Sequence, residues 1–72
     1  MLLNEIDENE TKKVSKINSK GSMRTRLMDL GIIEGCSIKK LFISPFKDPI
    51  AFLIKGAVIA IRVNDCKEIE IE

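Results

Sequence analysis

Two short apolar segments, AFLI (51–54) and AVIAIR (57–62), follow each other with only Lys55 and Gly56 between them. A two-residue connection of this kind favours a β-hairpin. Neither segment shows the clean alternation of apolar and polar residues that is typical of a strand with one solvated face. The pattern therefore predicts strands that are buried on both faces or that belong to a tightly curled sheet.

Three further segments are predicted to be strands: TKKVSKIN (11–18), SIKKLFIS (37–44) and EIEIE (68–72). The last alternates, which predicts that Ile69 and Ile71 point inward. Because 44 % of the residues are hydrophobic and only 4 % are aromatic, the interior is expected to consist mostly of Ile, Leu and Val. In a chain of 72 residues, five such strands shorten their exposed edges best by curling into a small barrel.

One short helix is predicted between the first two strands. Ser22 is suited to begin it as the N-cap. The apolar residues Met23, Leu27 and Leu30 recur at i, i+4 and i+7, which predicts an inward-facing stripe. Gly31 then takes the left-handed conformation that ends the helix.

The residues after this helix are predicted to close its end. With Leu30 as the C-cap, Ile32 falls where the Schellman motif packs a residue back on Leu27. Residues 33–36 are predicted to form a type II turn in which Gly35 has positive φ. The segment VNDC (63–66) is predicted to be a brief turn before the last strand.

The charge and the residue types exclude several function classes. The formal net charge is +1, which argues against a protein that binds its partner mainly by electrostatic attraction to the partner's phosphate groups. The chain has no histidine, so neither a Ser-His-Asp nor a Cys-His arrangement can be assembled. No Walker-type phosphate-binding loop is present. We therefore predict no enzyme activity and no catalytic, cofactor-binding or metal-binding residues.

Cys36 and Cys66 are the only cysteines and lie outside any C-x-x-C pair, so a structural zinc site is not expected. Cys66 is interpreted as a small, half-buried thiol, and Asp48 as a turn residue that bonds nearby backbone. The acids of residues 4–10 are interpreted as a solvated face. The start of the chain lacks the features of a signal peptide, and no segment reaches the ~20 apolar residues of a membrane span. We therefore expect a cytoplasmic chain without membrane insertion.

Four segments, taken in this order, resemble the FeoA family, the small cytoplasmic proteins that accompany the bacterial ferrous iron transporter FeoB: RLMDLGIIEG (26–35), SPFKDPI (44–50), IKGAVIAIR (54–62) and CKEIEIE (66–72). The similarity covers residues 11–72. The residues that match the family pattern are Arg26, Leu27, Asp29, Leu30, Gly31, Gly35, Pro45, Asp48, Pro49, Gly56 and Arg62. The resemblance implies one SH3-like domain over residues 1–72, in agreement with the mainly β barrel of about five strands and one short α-helix.

The resemblance also implies an accessory or adaptor protein that binds FeoB on its cytoplasmic side, and it links the chain to transition-metal handling. We expect the partner surface to comprise exposed groups of the helix and of the loop after the second strand: Arg24, Arg26, Met28, Pro45, Phe46, Lys47, Asp48 and Pro49. The alternative is a nucleic-acid-associated surface on the basic stretch 12–40, or a domain of the type found in metal-dependent repressors. An exposed barrel edge could also pair weakly with a second copy.

Overall fold

The computed structural model describes residues 1–72 and contains five antiparallel strands, as predicted. In chain order the elements are a 3-10 turn Leu3–Glu5, β1 Thr11–Ile17, α1 Gly21–Asp29, β2 Ser37–Ile43, β3 Ile50–Ile54, β4 Ala57–Ile61, α2 Val63–Cys66 and β5 Ile69–Ile71. The prediction of a single helix is incomplete, because VNDC forms the one-turn helix α2 rather than a brief turn. Neither helix has the length and apolar character that crossing a bilayer requires.

The strands form one sheet in the order β4-β3-β2-β1-β5. β1 changes partners along its length: residues 11–13 pair with β2, whereas residues 14–17 pair with β5. The register is irregular between Val14 and Lys16, and such irregularities bend a strand and increase its twist. The sheet therefore curls around one interior, while β4 and β5 remain its two edges.

The interior contains fourteen buried side chains: Leu3, Ile6, Val14, Ile17, Leu27, Ile32, Ile38, Ile50, Phe52, Ile54, Ile61, Cys66, Ile69 and Ile71. The inward orientation predicted for Ile69 and Ile71 is confirmed, and Phe52 is the only aromatic residue in this cluster. Leu3 and Ile6, near the start of the chain, also belong to the core, which no pattern in the sequence predicts.

Of the two predicted alternatives, burial on both faces applies to β3, whereas β4 belongs to the curled sheet and is mostly exposed. Four of the five residues of β3 are buried, because the strand lies between β2 and β4. In β4 only Ile61 is buried, and Val58 is 64 % exposed. The two strands have similar composition, so their different positions in the sheet explain the difference.

Helix α1 begins earlier than predicted. Lys20 takes the extended N-cap conformation, with φ −127° and ψ 167°, so Ser22 lies inside the first turn and the prediction of Ser22 as the N-cap is wrong. Leu27 is buried and Met23 packs against the core, as predicted. Leu30 is 39 % exposed rather than buried, because the helix ends there and its side chain lies at a surface groove.

The predicted closure of α1 is confirmed. Gly31 has φ +91°. Its N–H donates to the carbonyl oxygen of Met28 at 2.9 Å, and the N–H of Ile32 donates to that of Leu27 at 2.9 Å. These are the two hydrogen bonds of a Schellman motif. Ile32 is fully buried, so the end of the helix is fixed by both hydrogen bonding and apolar packing.

Two further predicted turns are also present. The N–H of Cys36 donates to the carbonyl oxygen of Ile33 at 3.1 Å, with Gly35 at φ +92°. In the β3–β4 hairpin, Lys55 and Gly56 have φ +49° and +82°. A type I′ turn requires positive φ at both central residues, and its twist suits a two-residue hairpin.

We predict that Gly31→Ala lowers the free energy of unfolding by more than about 1 kcal/mol, because an alanine Cβ disfavours the left-handed conformation. The added Cβ would lie 3.6 Å from Cδ of Lys55, an ordinary contact, so the cost arises from the backbone and not from a clash. Urea denaturation measures the effect. Gly31→Asn is the matched control and is expected to lose less, since asparagine tolerates this conformation better. An unchanged denaturation midpoint for Gly31→Ala would contradict the capping assignment.

Candidate partner-binding groove

A groove of about 310 Å³ lies between α1 and the end of β4. The β2–β3 loop and α2 complete its walls. Its lining residues are Met23, Arg26, Leu27, Leu30, Asp48, Pro49, Ala60, Ile61, Arg62 and Asp65. The groove thus combines an apolar floor with two guanidinium groups and two carboxylates.

Asp48 fixes one wall of the groove. Its Oδ1 accepts a hydrogen bond from the N–H of Val63 at 3.0 Å, and Val63 is the first residue of α2. The first N–H groups of a helix have no partner within the helix, so the carboxylate satisfies one of them. The interpretation of Asp48 as bonding only nearby backbone is therefore wrong, because the side chain reaches fifteen residues along the chain.

The β2–β3 loop is closed at its base and open at its tip. The N–H and the hydroxyl of Ser44 both donate to the carbonyl oxygen of Pro49, at 3.1 and 2.7 Å. The N–H of Lys47 donates to the carbonyl oxygen of Ser44 at 2.7 Å, and the Asp48–Pro49 peptide bond is cis. Phe46, at the tip, is 92 % exposed. The loop therefore presents an aromatic side chain to solvent from a hydrogen-bonded base.

Arg24 is engaged within the chain. Its guanidinium donates to the carbonyl oxygen of Ile17 at 2.9 Å and lies 3.5 Å from Oε1 of Glu34. The other oxygen of Glu34 accepts the N–H of Ile17 at 3.3 Å. Arg24 and Glu34 together satisfy the backbone of Ile17, where β1 ends, and connect α1 to the sheet.

The remaining residues predicted for the partner surface fall into two places. Arg26, Asp48 and Pro49 come together in the groove. Met28, which is 50 % exposed, and the exposed loop-tip residues 45–47 lie outside it. The structure thus divides the predicted surface into a groove, a separate loop tip and Met28 on α1, which belongs to neither.

Four residues that line the groove are not part of the predicted partner surface: Leu30, Ala60, Ile61 and Arg62. Leu30 is predicted to be core, whereas in the structure it is 39 % exposed and lines the groove. For Arg62 the sequence contains a signal, because this residue matches the family pattern and directly follows the apolar segment AVIAI. A cation is thereby expected at the end of that strand.

The charged side chains of the groove differ in whether they already have a partner within the chain. The ion pair of the chain joins Arg24 to Glu34, so the guanidinium groups of Arg26 and Arg62 make no ion pair within the molecule. Asp48, in contrast, already accepts the Val63 N–H. The two arginines are therefore the groups of the groove that remain available to an acidic ligand.

Cys66 is the last residue of α2 and is fully buried, more than the predicted half-buried thiol. Burial, with a further contribution from the charges of Asp65 and Asp48, raises the pKa of this thiol to about 12. The thiol is therefore protonated at neutral pH, and a protonated thiol is neither a nucleophile nor a metal ligand. Both cysteines are free, and no group of three or more histidine, cysteine, aspartate or glutamate residues lies together as a metal site would require.

Similarity to proteins of known family was found at the level of both sequence and structure. The Fe(2+) transport protein A/Fe(2+) transporter FeoB fusion protein of Porphyromonas gingivalis is 25 % identical over 72 residues. The match covers the whole of this chain and 8 % of the fusion protein, so this chain corresponds to a small part of that relative.

Two solved structures share the fold. A FeoA protein from Chlorobium tepidum is 30 % identical with a TM-score of 0.94, over all of this chain and 69 % of that chain. FeoA of Stenotrophomonas maltophilia, solved with zinc and described as a procaryotic SH3 domain protein, is 18 % identical with a TM-score of 0.86, over all of this chain and 89 % of that chain. These likenesses confirm the predicted SH3-like barrel.

The family model for the FeoA domain matches residues 1–72. The match therefore includes the first ten residues, which lie outside the resemblance found in the sequence. FeoA domains are small accessory domains and are not a known enzyme family. The family is linked to ferrous iron transport. The chain belongs to the FeoA domain family.

Proposed function

We propose that this chain is a cytoplasmic accessory domain that docks on a FeoB-type ferrous iron transporter. The observation that carries the proposal is the relative in which a similar domain is joined covalently to FeoB. Joining two domains in one chain raises their effective concentration for each other, which benefits domains that act in contact.

The groove is suited to this docking. Its apolar lining from Met23, Leu30 and Ala60 offers area that a partner side chain can bury, and its two unpaired arginines offer hydrogen bonds to a carboxylate. Apolar anchors surrounded by polar groups, and arginine in particular, are typical of the residues that dominate binding energy at interfaces. The exposed Phe46 supplies a second apolar contact outside the groove.

Docking modulates the transporter by population shift. A bound domain changes the equilibrium between two transporter conformations only as far as it binds one of them more tightly. The chain itself needs no reactive group for this role.

The nucleic-acid alternative is less well supported. Within the basic stretch 12–40, Arg24 is neutralised by its ion pair with Glu34. The groove contains as many carboxylates as guanidinium groups, and the net charge of the chain is +1. A protein that neutralises several phosphates carries a clear excess of lysine and arginine on one face.

Copurification tests the proposal. The tagged chain is expected to retain full-length FeoB of the same organism from detergent extracts, and to lose it when the cytoplasmic region of FeoB is deleted. Retention that persists after this deletion, or no retention of the full-length transporter, would contradict docking on the cytoplasmic side.

A further inference from the structure

The backbone of β4 is open along one edge. In a hairpin with a two-residue turn, the residues that flank the turn form a hydrogen-bonded pair, and pairing alternates from there. Ala57, Ile59 and Ile61 therefore bond to β3, whereas the N–H and C=O groups of Val58 and Ala60 face away from it. No turn, loop or cap of the chain bonds to these outward groups.

This edge lacks the features that normally block pairing with another strand. Exposed edges are usually interrupted by proline, by charged side chains or by a bulge. β4 reads AVIAI, without a proline or a charge, and its pairing with β3 is regular over all five residues. The other edge strand, β5, carries Glu70 and is bridged by Leu2. β4 is thus the edge that can accept a further strand.

The open edge leads into the groove. Ala60, which carries one pair of outward backbone groups, lines the groove together with Leu27 of α1 and the C-cap residue Leu30. A chain added along β4 would thus lie between the strand and the helix. Its side chains on one face would reach the apolar floor, and Arg26 and Arg62 would stand beside it.

We propose that the transporter segment that docks here is an extended one, which adds to β4 as a sixth strand of the sheet. Strand addition takes its affinity from main-chain hydrogen bonds and its specificity from pockets for alternate side chains. The occupant has an apolar side chain that enters the groove and an acidic side chain that pairs with Arg26 and Arg62. This inference rests on the proposed function and specifies how the partner is held.

Charge favours such a segment over a second copy of this chain. Pairing of β4 with itself would bring no carboxylate to Arg26 or Arg62, because the only charged side chains of residues 54–64 are the cations Lys55 and Arg62. An acidic segment meets the same cations with opposite charge.

Amide hydrogen exchange of the full chain tests the inference without any substitution. The amides of Val58 and Ala60 are expected to exchange freely in the isolated chain and at least tenfold more slowly when the cytoplasmic region of FeoB is added to saturation. Binding without this protection would overturn strand addition and leave the proposed function standing. Protection of both amides in a dimer of the isolated chain would also overturn it, in favour of a second copy.

Proline substitution provides a second measurement. Val58→Pro removes an outward N–H that β3 does not use, and proline is tolerated at such edge positions. The dissociation constant for the cytoplasmic region of FeoB is expected to rise at least tenfold. The matched control Val58→Thr keeps the N–H and the β-branched shape and is expected to bind within threefold of the original chain. Equal binding by both variants would overturn the inference, and so would a complete absence of binding by the original chain, which would remove the proposed function as well.

Discussion

Leu3→Ala is expected to lower the free energy of unfolding by about 2–5 kcal/mol, the range for removing a buried leucine side chain from a packed core. Leu3 is fully buried and belongs to the core cluster, although it is only the third residue of the sequence. A domain of this size is stabilised by only about 5–15 kcal/mol, so the loss is a large part of the total. The midpoint of urea denaturation, followed by circular dichroism, measures the effect.

Leu30→Ala is the matched control, because the same atoms are removed from a leucine that is 39 % exposed. We expect it to cost less than about 1 kcal/mol, as substitutions at partly exposed positions usually do. Equal denaturation midpoints for Leu3→Ala and the original chain would show that the first segment is not part of the cooperative core.

The position of Leu3 also explains why the two sheet edges differ. The N–H of Ile71 donates to the carbonyl oxygen of Met1 at 2.8 Å, and Leu2 forms a bridge with Glu70. The burial of Leu3 holds these residues against β5. The first residues therefore cover one edge of the sheet, whereas nothing in the chain covers the edge of β4.

Features that depend on a few consecutive residues could be predicted from the sequence. The end of α1 could be predicted because the closing motif depends only on the φ of Gly31 and on the residue that follows it. The hairpin could be predicted because its turn depends only on the two residues Lys55 and Gly56. Ser22 was assigned wrongly because several residues near a helix start can cap it, and Lys20 adopts the cap conformation instead.

Features that depend on distant residues could not be predicted in this way. β3 and β4 have similar apolar sequences, and their burial differs only because β4 lies at the edge. The contact between Asp48 and Val63 joins a loop to a helix that the sequence did not predict. The groove is built from side chains of α1, the β2–β3 loop, β4 and α2, so it exists only in the folded chain.

The double substitution Arg26→Glu and Arg62→Glu is expected to weaken binding to the cytoplasmic region of FeoB by at least about 100-fold. Both arginines are exposed in the free chain, and a docked segment would cover them. Removing one partner of a charge pair that is buried and hydrogen-bonded in a complex typically costs about 2–5 kcal/mol, and 1.4 kcal/mol corresponds to a factor of ten. Both arginines line the groove, and neither is paired within the chain, so their reversal leaves the internal ion pair intact. Isothermal titration with the purified cytoplasmic region measures the change.

A change in overall charge could by itself slow association with an acidic partner, so the control must carry the same net charge. Lys13→Glu with Lys67→Glu changes the net charge from +1 to −3, as the arginine reversal does, at two exposed positions outside the groove. This control is expected to alter affinity by less than tenfold, mainly through the association rate and only at low salt. If the two double variants bind equally weakly, long-range attraction and not the groove holds the partner. If the arginine reversal alone loses binding, the carboxylate of the partner lies between α1 and β4.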